Sequence, residues 1–276
     1  MKKTRGGFSV RADIPYLGEQ RKEMMDAYLP SQSDGQPVPG VVLVHGGGWT
    51  EGSRKREREV QFAEALAKAG FAVFSIDYAL GAWSGRPFES RLARSAWPQC
   101  LYDCKSAIRY VRHHAAEFGV NPSRLAVAGG SAGAHLAMMT ALTSRLPAWD
   151  RVGPHANESS CVDCVIVSRG IFNVDPTFSR WLIDESNASD PSVQRAASPL
   201  SYVARGAPPV LAFHGSRDDV ADVGQARAFA ERLHQCGVEH RLVVVPDKGH
   251  DLRLDEPHGS FMSMVETFLR WNLVCR

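Results

Sequence analysis

Six short, nearly all-apolar runs recur along this chain, at 41–45, 71–77, 124–128, 162–168, 209–214 and 240–245. Runs of that length without polar alternation suit strands buried on both faces. Parallel neighbours in such a sheet need crossovers of a dozen or more residues. The intervening stretches supply them with helical periodicity. Pro98, a favoured first helical residue, opens one pattern. Leu101, Cys104, Ile108, Val111, Ala115 and Phe118 then recur at three- or four-residue steps as far as Gly119. Asp222 stands as an N-cap before Val223, Ala226, Phe229, Ala230 and Leu233, and Gly237 follows as the stop. Residues 57–68 and 132–144 supply two more helices, and Phe261, Met264, Val265, Phe268 and Leu269 mark a last one. This alternation predicts an α/β fold: a mostly parallel central sheet with helices on both faces.

Two stretches break the rhythm. Residues 81–97 are polar and arginine-rich but carry Trp83, Phe88 and Trp97. Residues 173–207 hold Phe178, Trp181 and Leu182 among Ser, Asp and Asn. Long connections in compact domains are either plain surface loops or lids and binding loops. The expected organisation is therefore one domain over 1–276, with a small or minimal cap inserted around 81–97 and 173–207.

Composition narrows the partners. The 276 residues contain 32 Lys plus Arg against 30 Asp plus Glu, a formal +2. That balance predicts no broad attraction to nucleic acid or to an anionic membrane. No apolar run approaches the roughly 20 residues of a membrane-spanning helix. Met1-Lys2-Lys3-Thr4-Arg5 is basic like a secretion signal, yet no apolar region follows it, and the expected location is cytoplasmic. The six cysteines form no disulfide framework. Cys161 and Cys164 have C-x-x-C spacing, but an apolar run follows them rather than a second metal-binding pair or a helix start. They are read as reduced structural thiols. Cys100 and Cys104, one helical turn apart, are read as packing residues.

Gly129-Gly130-Ser131-Ala132-Gly133 is a G-x-S-x-G pentapeptide. The string alone is a weak signal. Its setting strengthens it, because it joins the apolar run ending at Ala128 to the helix-like Ala134-His135-Leu136-Ala137-Met138-Met139. A sharp strand–turn–helix holds the serine hydroxyl above the sheet, and the helix start offers free N–H groups beside a developing negative charge.

A serine hydroxyl needs a base, and the base needs an orienting acid. His250 lies in Asp247-Lys248-Gly249-His250-Asp251, just past the run ending at Val245. That is where open α/β sheets bind ligands. His214-Gly215-Ser216-Arg217-Asp218-Asp219 follows another strand and offers two acids. Asp218 is the preferred one, with Asp219 as the alternative. His113, His114, His155, His234, His240 and His258 read as surface or helix-face residues, and His214 as structural. His45-Gly46-Gly47-Gly48-Trp49 follows the first run. Its glycines can turn N–H groups inward and, with the Ala132 N–H, form an oxyanion hole. A phosphate loop would need Lys and Ser/Thr after the last glycine, whereas Trp49-Thr50-Glu51 follows here. Nothing resembles a catalytic metal motif, and no cofactor or metal is expected.

Together these residues resemble the α/β-hydrolase superfamily, most closely its esterase branch with an H-G-G-G oxyanion motif. That branch includes hormone-sensitive-lipase-like carboxylesterases and bacterial feruloyl- and acetyl-esterase-like proteins. The likeness runs from about Val38 to the C-terminus through His45–Trp49, Asp77-Tyr78, Asn121-Pro122-Ser123-Arg124, Gly129–Gly133, His214–Asp218 and Gly249-His250. With 44 residues before His45, it leans to the feruloyl/acetyl-esterase-like group. By position the resemblance makes Gly47 and Gly48 oxyanion donors and His45 a structural hydrogen-bonder. The family's Tyr-Arg-Leu run reads Tyr78-Ala79-Leu80 here, and 81–97 looks like an expansion, departures that bear on specificity rather than chemistry.

The expected activity is serine carboxylesterase hydrolysis of short-chain or aromatic acyl esters through an acyl-enzyme. Ser131 is the nucleophile, His250 the base and Asp218 its orienting acid. Activity should fall on acidification as the imidazole gains a proton. Trp49, Trp83 and Trp181 are candidate substrate contacts. The partner is a small-molecule ester; a homodimer is common among such relatives, though nothing in the sequence demands one. An arylformamidase similar to kynurenine formamidase is the alternative, because His45–Trp49 also satisfies H-G-G-x-W. A non-catalytic binding member of the fold is a further alternative, disfavoured because serine, acid and histidine candidates are all present.

Overall fold

The computed structural model describes residues 3–31, 35–254 and 261–275; His258 lies outside them. The chain opens with β1 (Lys3–Arg5), β2 (Phe8–Ile14), β3 (Met25–Pro30) and β4 (Val38–Val44). Next come α1 (Glu57–Lys68), β5 (Ala72–Ile76) and a short pair, β6 (Ala82–Trp83) and β7 (Leu92–Arg94). Then follow α2 (Gln99–His113), α3 (Ala115–Phe118), β8 (Val120–Gly130), α4 (Ala132–Leu142), α5 (Pro147–Asp150) and β9 (Cys164–Ser168). The remainder is α6 (Pro176–Leu182), α7 (Pro191–Ala196), β10 (Val210–Gly215), α8 (Val223–Gln235), β11 (His240–Val245) and α9 (Phe261–Leu273).

Nine of these strands make one sheet in the order β1-β2-β3-β5-β4-β8-β9-β10-β11. From β5 to β11 every pairing is parallel. The first three strands add an antiparallel edge through the β3–β5 pair. The expected mostly parallel sheet is therefore present, with an antiparallel extension that the six apolar runs did not include.

Side-chain alternation decides what covers each face. In β4, Val42 and Val44 join the core under α2, α4 and α8, represented by Ile108, Leu136 and Phe229. Val41 and Leu43 join the opposite core, under Leu66 of α1 and Leu269 of α9. Helices thus lie on both faces. Among the described residues no helix is long and apolar enough to cross a membrane.

Local signals mark several of the boundaries. The Asp222 carboxylate accepts from the Gly224 N–H, and Gly237 sits beyond α8 at φ 66. The helix expected over 98–118 is instead two, α2 and α3, divided at His114 where His113, His114 and His155 pack together. Gly119 ends α3 in the left-handed region at φ 66. The strand expected at 124–128 begins earlier, at Val120, because it also pairs with Val38 across a register shift.

Candidate active site

Parallel register brings the strand ends together. Val44 pairs with Gly129, Gly130 with Ser168, and Gly215 with Val245. The loops after β4, β8, β9, β10 and β11 therefore all leave from one edge of the sheet. That is the edge where open α/β sheets bind ligands.

The turn after β8 is tight. Ser131 adopts φ 56 and ψ −123, a conformation L-residues avoid and which the surroundings must hold. Its N–H donates to Ser168 O at 2.9 Å, and its own carbonyl accepts from His135 N–H at 3.1 Å. A Cβ at Gly133 would lie 2.1 Å from Val44 O, and one at Gly129 would lie 2.4 Å from Gly133 O. The pentapeptide glycines let α4 start directly against β4. Gly133→Ala, which sets a methyl against backbone that cannot retreat, is expected to cost about 3 kcal/mol. Urea-unfolding midpoints check this.

His250 Nε2 lies 2.8 Å from Ser131 Oγ, and its Nδ1 lies 2.9 Å from both carboxylate oxygens of Asp218. The carboxylate accepts from Nδ1–H, which leaves Nε2 to accept from the serine hydroxyl. Asp218 also accepts from the N–H groups of Val220 and Ala221, at 3.0 and 2.8 Å. His214 Nε2 lies 3.2 Å from Asp218 and 2.7 Å from Ala221 O, which steadies the acid from behind. Burial alone would push the Asp218 carboxyl up. The hydrogen bonds from His214, His250 and Ala221 outweigh it and hold the carboxyl well below its ordinary range. Asp219, the alternative acid, is exposed.

The glycine loop lies against the nucleophile. A Cβ on Gly46 would sit 2.8 Å from Gly130 O and 3.4 Å from the Ser131 Cβ. Gly47 and Gly48 take φ 126 and 56, and Gly47 O closes the turn by accepting from Thr50 and Glu51 at 3.1 and 2.9 Å. Ala132 is the first residue of α4, so its N–H has no intrahelical acceptor. His45 stacks on Tyr78 at 4.3 Å, and its carbonyl accepts from the Tyr78 hydroxyl at 3.0 Å. Burial lowers the His45 imidazole to about 4, so it stays neutral and structural.

The tryptophans divide. Trp181 lines a cleft of about 620 Å³ over Ser131 and His250, beside Phe88 and Phe178. Trp49 borders the same cleft but is buried, and its indole N–H donates to His135 Nδ1 at 3.1 Å, which anchors the glycine loop. Trp83 donates to Thr50 Oγ1 at 3.0 Å and packs on Phe88 at 5.2 Å, acting behind the cleft wall. Phe88, at the tip of the β6–β7 hairpin, in turn packs on Trp181 at 5.0 Å. The stretches 81–97 and 173–207 therefore meet over the site.

No sequence motif marks Arg169. It follows β9 directly, adopts φ 54, is 3 % exposed, and donates from Nη1 to His250 O at 2.7 Å. A charged residue immediately after a buried apolar run was its available signal. The cysteines are free thiols, and Cys100, Cys104 and Cys164 are buried.

Esterase LipC of Mycobacterium tuberculosis is 32 % identical over 249 residues, 86 % of this chain and 59 % of its own. Esterase LipQ of the same organism is 30 % identical, over 82 % of this chain and 53 % of its own. The chain thus spans just over half the length of these relatives. A truncated carbohydrate esterase from gut microbiota shares the fold, with TM-score 0.83 at 22 % identity over 99 % of both chains. Thermogutta terrifontis esterase 2 phosphorylated by paraoxon superposes with TM-score 0.74 at 27 % identity, covering 96 % of this chain and 94 % of its own. The BD-FAE family model matches residues 25–233, most of the sheet and both strand ends that carry the glycine loop and the serine, and the chain belongs to the BD-FAE family.

Proposed function

We propose that this protein is a serine carboxylesterase that hydrolyses short-chain or aromatic acyl esters through an acyl-enzyme. The observation that carries the reading is one imidazole bridging Ser131 at 2.8 Å and Asp218 at 2.9 Å. Ser131 Oγ attacks the ester carbonyl while His250 Nε2 takes its proton. Asp218 holds the tautomer and stabilises the imidazolium. The amides of Gly47, Gly48 and Ala132 stabilise the tetrahedral oxyanion, each worth about 3 kcal/mol. The imidazolium then protonates the leaving alcohol, and His250 activates the water that releases the acid and frees Ser131. The cleft walled by Phe88, Phe178 and Trp181 suits a short or aromatic acyl group.

The intact serine, histidine and acid favour catalysis over a ligand-binding role. The relatives described above are named as esterases, which favours ester over formamide cleavage. Treatment with diethyl p-nitrophenyl phosphate should add one diethylphosphoryl group per chain, on Ser131 by peptide mass mapping. Turnover of p-nitrophenyl acetate should be lost in step. Labelled Ser131 with undiminished turnover, or no labelling at all, would refute the proposal. Turnover should also fall from butyrate to decanoate in a p-nitrophenyl ester series.

A further inference from the structure

The cleft over Ser131 has two unlike walls. Phe88, Phe178 and Trp181 make one. Arg56, Arg58, Arg169 and Arg253 line the other, together with Glu51, Glu57 and Glu59. Four cations against three carboxylates leave an excess of one positive charge. A pocket serving only an apolar acyl group has no need of it.

The pairing within this wall is uneven. Arg56 meets Glu51 at 3.5 Å, and Arg253 donates to Gln61. The Arg58 side chain, half-buried in the first turn of α1, forms no hydrogen bond or ion pair among the described residues. Arg169 is 3 % exposed, and among the described residues no carboxylate lies within ion-pair distance of it. Its Nη1 donates to His250 O, while its buried Nε has no partner. Buried charges ordinarily demand compensation. Two buried acids act on Arg169: Asp218, 6 % exposed and already engaged by His250 and His214, and Glu59, 8 % exposed, whose Oε2 is unpartnered. Glu59 also acts on Arg58, and it pairs closely with neither guanidinium group.

The two guanidinium groups also feel each other. Burial, reinforced by repulsion from Arg58, lowers Arg169 to about 10. The position is close to the chemistry: a Cβ on Gly130, the residue before the nucleophile, would lie 2.5 Å from Arg169 Nη2. Arg58, Glu59 and Arg169 border the cleft and also an adjoining cavity of about 40 Å³, so there is space beside them.

We propose that Arg58 and Arg169 form a subsite for a carboxylate carried by the ester substrate, so that the preferred esters are acidic ones. The inference rests on the serine-esterase reading and adds the substrate's charge to it. A guanidinium matches a carboxylate through two parallel N–H···O bonds, and burial beside the aromatic wall strengthens that pairing. The lone positive excess then attracts the acidic ester and is neutralised on binding.

Two matched pairs of esters test this, each isosteric and differing by one charge. 4-Acetoxybenzoate against 4-acetoxybenzamide places the charge on the alcohol side. The p-nitrophenyl half-ester of adipic acid against its carboxamide places it on the acyl side. The readout is the ratio of kcat/KM, acidic over neutral, after subtraction of spontaneous hydrolysis. The ratio should reach about tenfold for at least one pair, equivalent to about 1.4 kcal/mol. It should shrink with added salt, fall towards one in Arg58→Gln, and fall below one in Arg58→Glu. Using a ratio removes any general loss of activity in the variants. Ratios near one for both pairs in the wild type, or a ratio that Arg58→Gln leaves unchanged, would overturn the subsite while leaving the esterase standing. Absence of turnover on all four esters would overturn both.

Discussion

Ser131→Ala should lose turnover of p-nitrophenyl butyrate by about a millionfold in kcat while remaining folded. The magnitude follows from how the members of such a constellation act as a unit: removing the nucleophile alone costs about as much as removing all three. The geometry leaves no substitute. Ser131 Oγ is the hydroxyl hydrogen-bonded to His250 Nε2, at 2.8 Å. Ser168 and Ser216 are held elsewhere, the first beside Gly130 in the sheet and the second accepting from Asp247 N–H at 2.9 Å. Alanine keeps the Cβ and the strained backbone, so circular dichroism and the urea midpoint should stay close to wild type. Residual turnover of about a thousandfold over water is expected from oxyanion stabilisation and binding. Activity within tenfold of wild type would remove the serine from the chemistry altogether.

Asp218→Asn should lower kcat by about ten-thousandfold with little change in KM. An amide cannot take a proton-bearing Nδ1 as a carboxylate does, and its NH2 favours the opposite tautomer. Nε2 would then carry hydrogen towards Ser131 and could no longer accept from it. Asp219→Asn, at the exposed neighbour, should change kcat less than twofold; equal losses in the two variants would reassign the acid. The substitution also has a stability signature. The carboxyl's folded value lies below the unfolded value of about 3.9. That difference stabilises the native state above the unfolded value and is lost as pH falls through the lowered folded one. The stability gap between wild type and Asp218→Asn should therefore be widest near neutrality and close in strong acid, as read from urea midpoints across pH.

Much of this molecule is legible locally. β11 spans His240–Val245 and α1 spans Glu57–Lys68, both as expected, because burial of a strand on both faces and the stripe of an amphipathic helix leave unambiguous patterns. The N-terminal antiparallel strands were less visible. In β2, Phe8, Val10, Ala12 and Ile14 do alternate with polar residues, but Phe8 and Val10 belong to the core only because β3 and α1 lie beside them. The break at His114 has no glycine or proline to announce it. It coincides with packing against His155, forty-one residues away in sequence.

The site divides along the same line. Ser131, His250, Gly47 and Gly48 could be proposed from the sequence because each follows an apolar run in a tight turn that carries glycine, and turn chemistry is written in neighbouring residues. The choice between Asp218 and Asp219 was not, since adjacent acids differ only in where the fold points them. Trp49 read as a ligand contact, and it borders the cleft with its indole held on His135; Arg169 read as nothing and lies against the nucleophile's strand. Backbone preference and hydrophobic period act over a few residues and so survive in the string of letters. The direction of a side chain, the company a buried charge keeps and the two-walled cleft over Ser131 depend on residues tens to hundreds of positions apart, and only their packing together sets them.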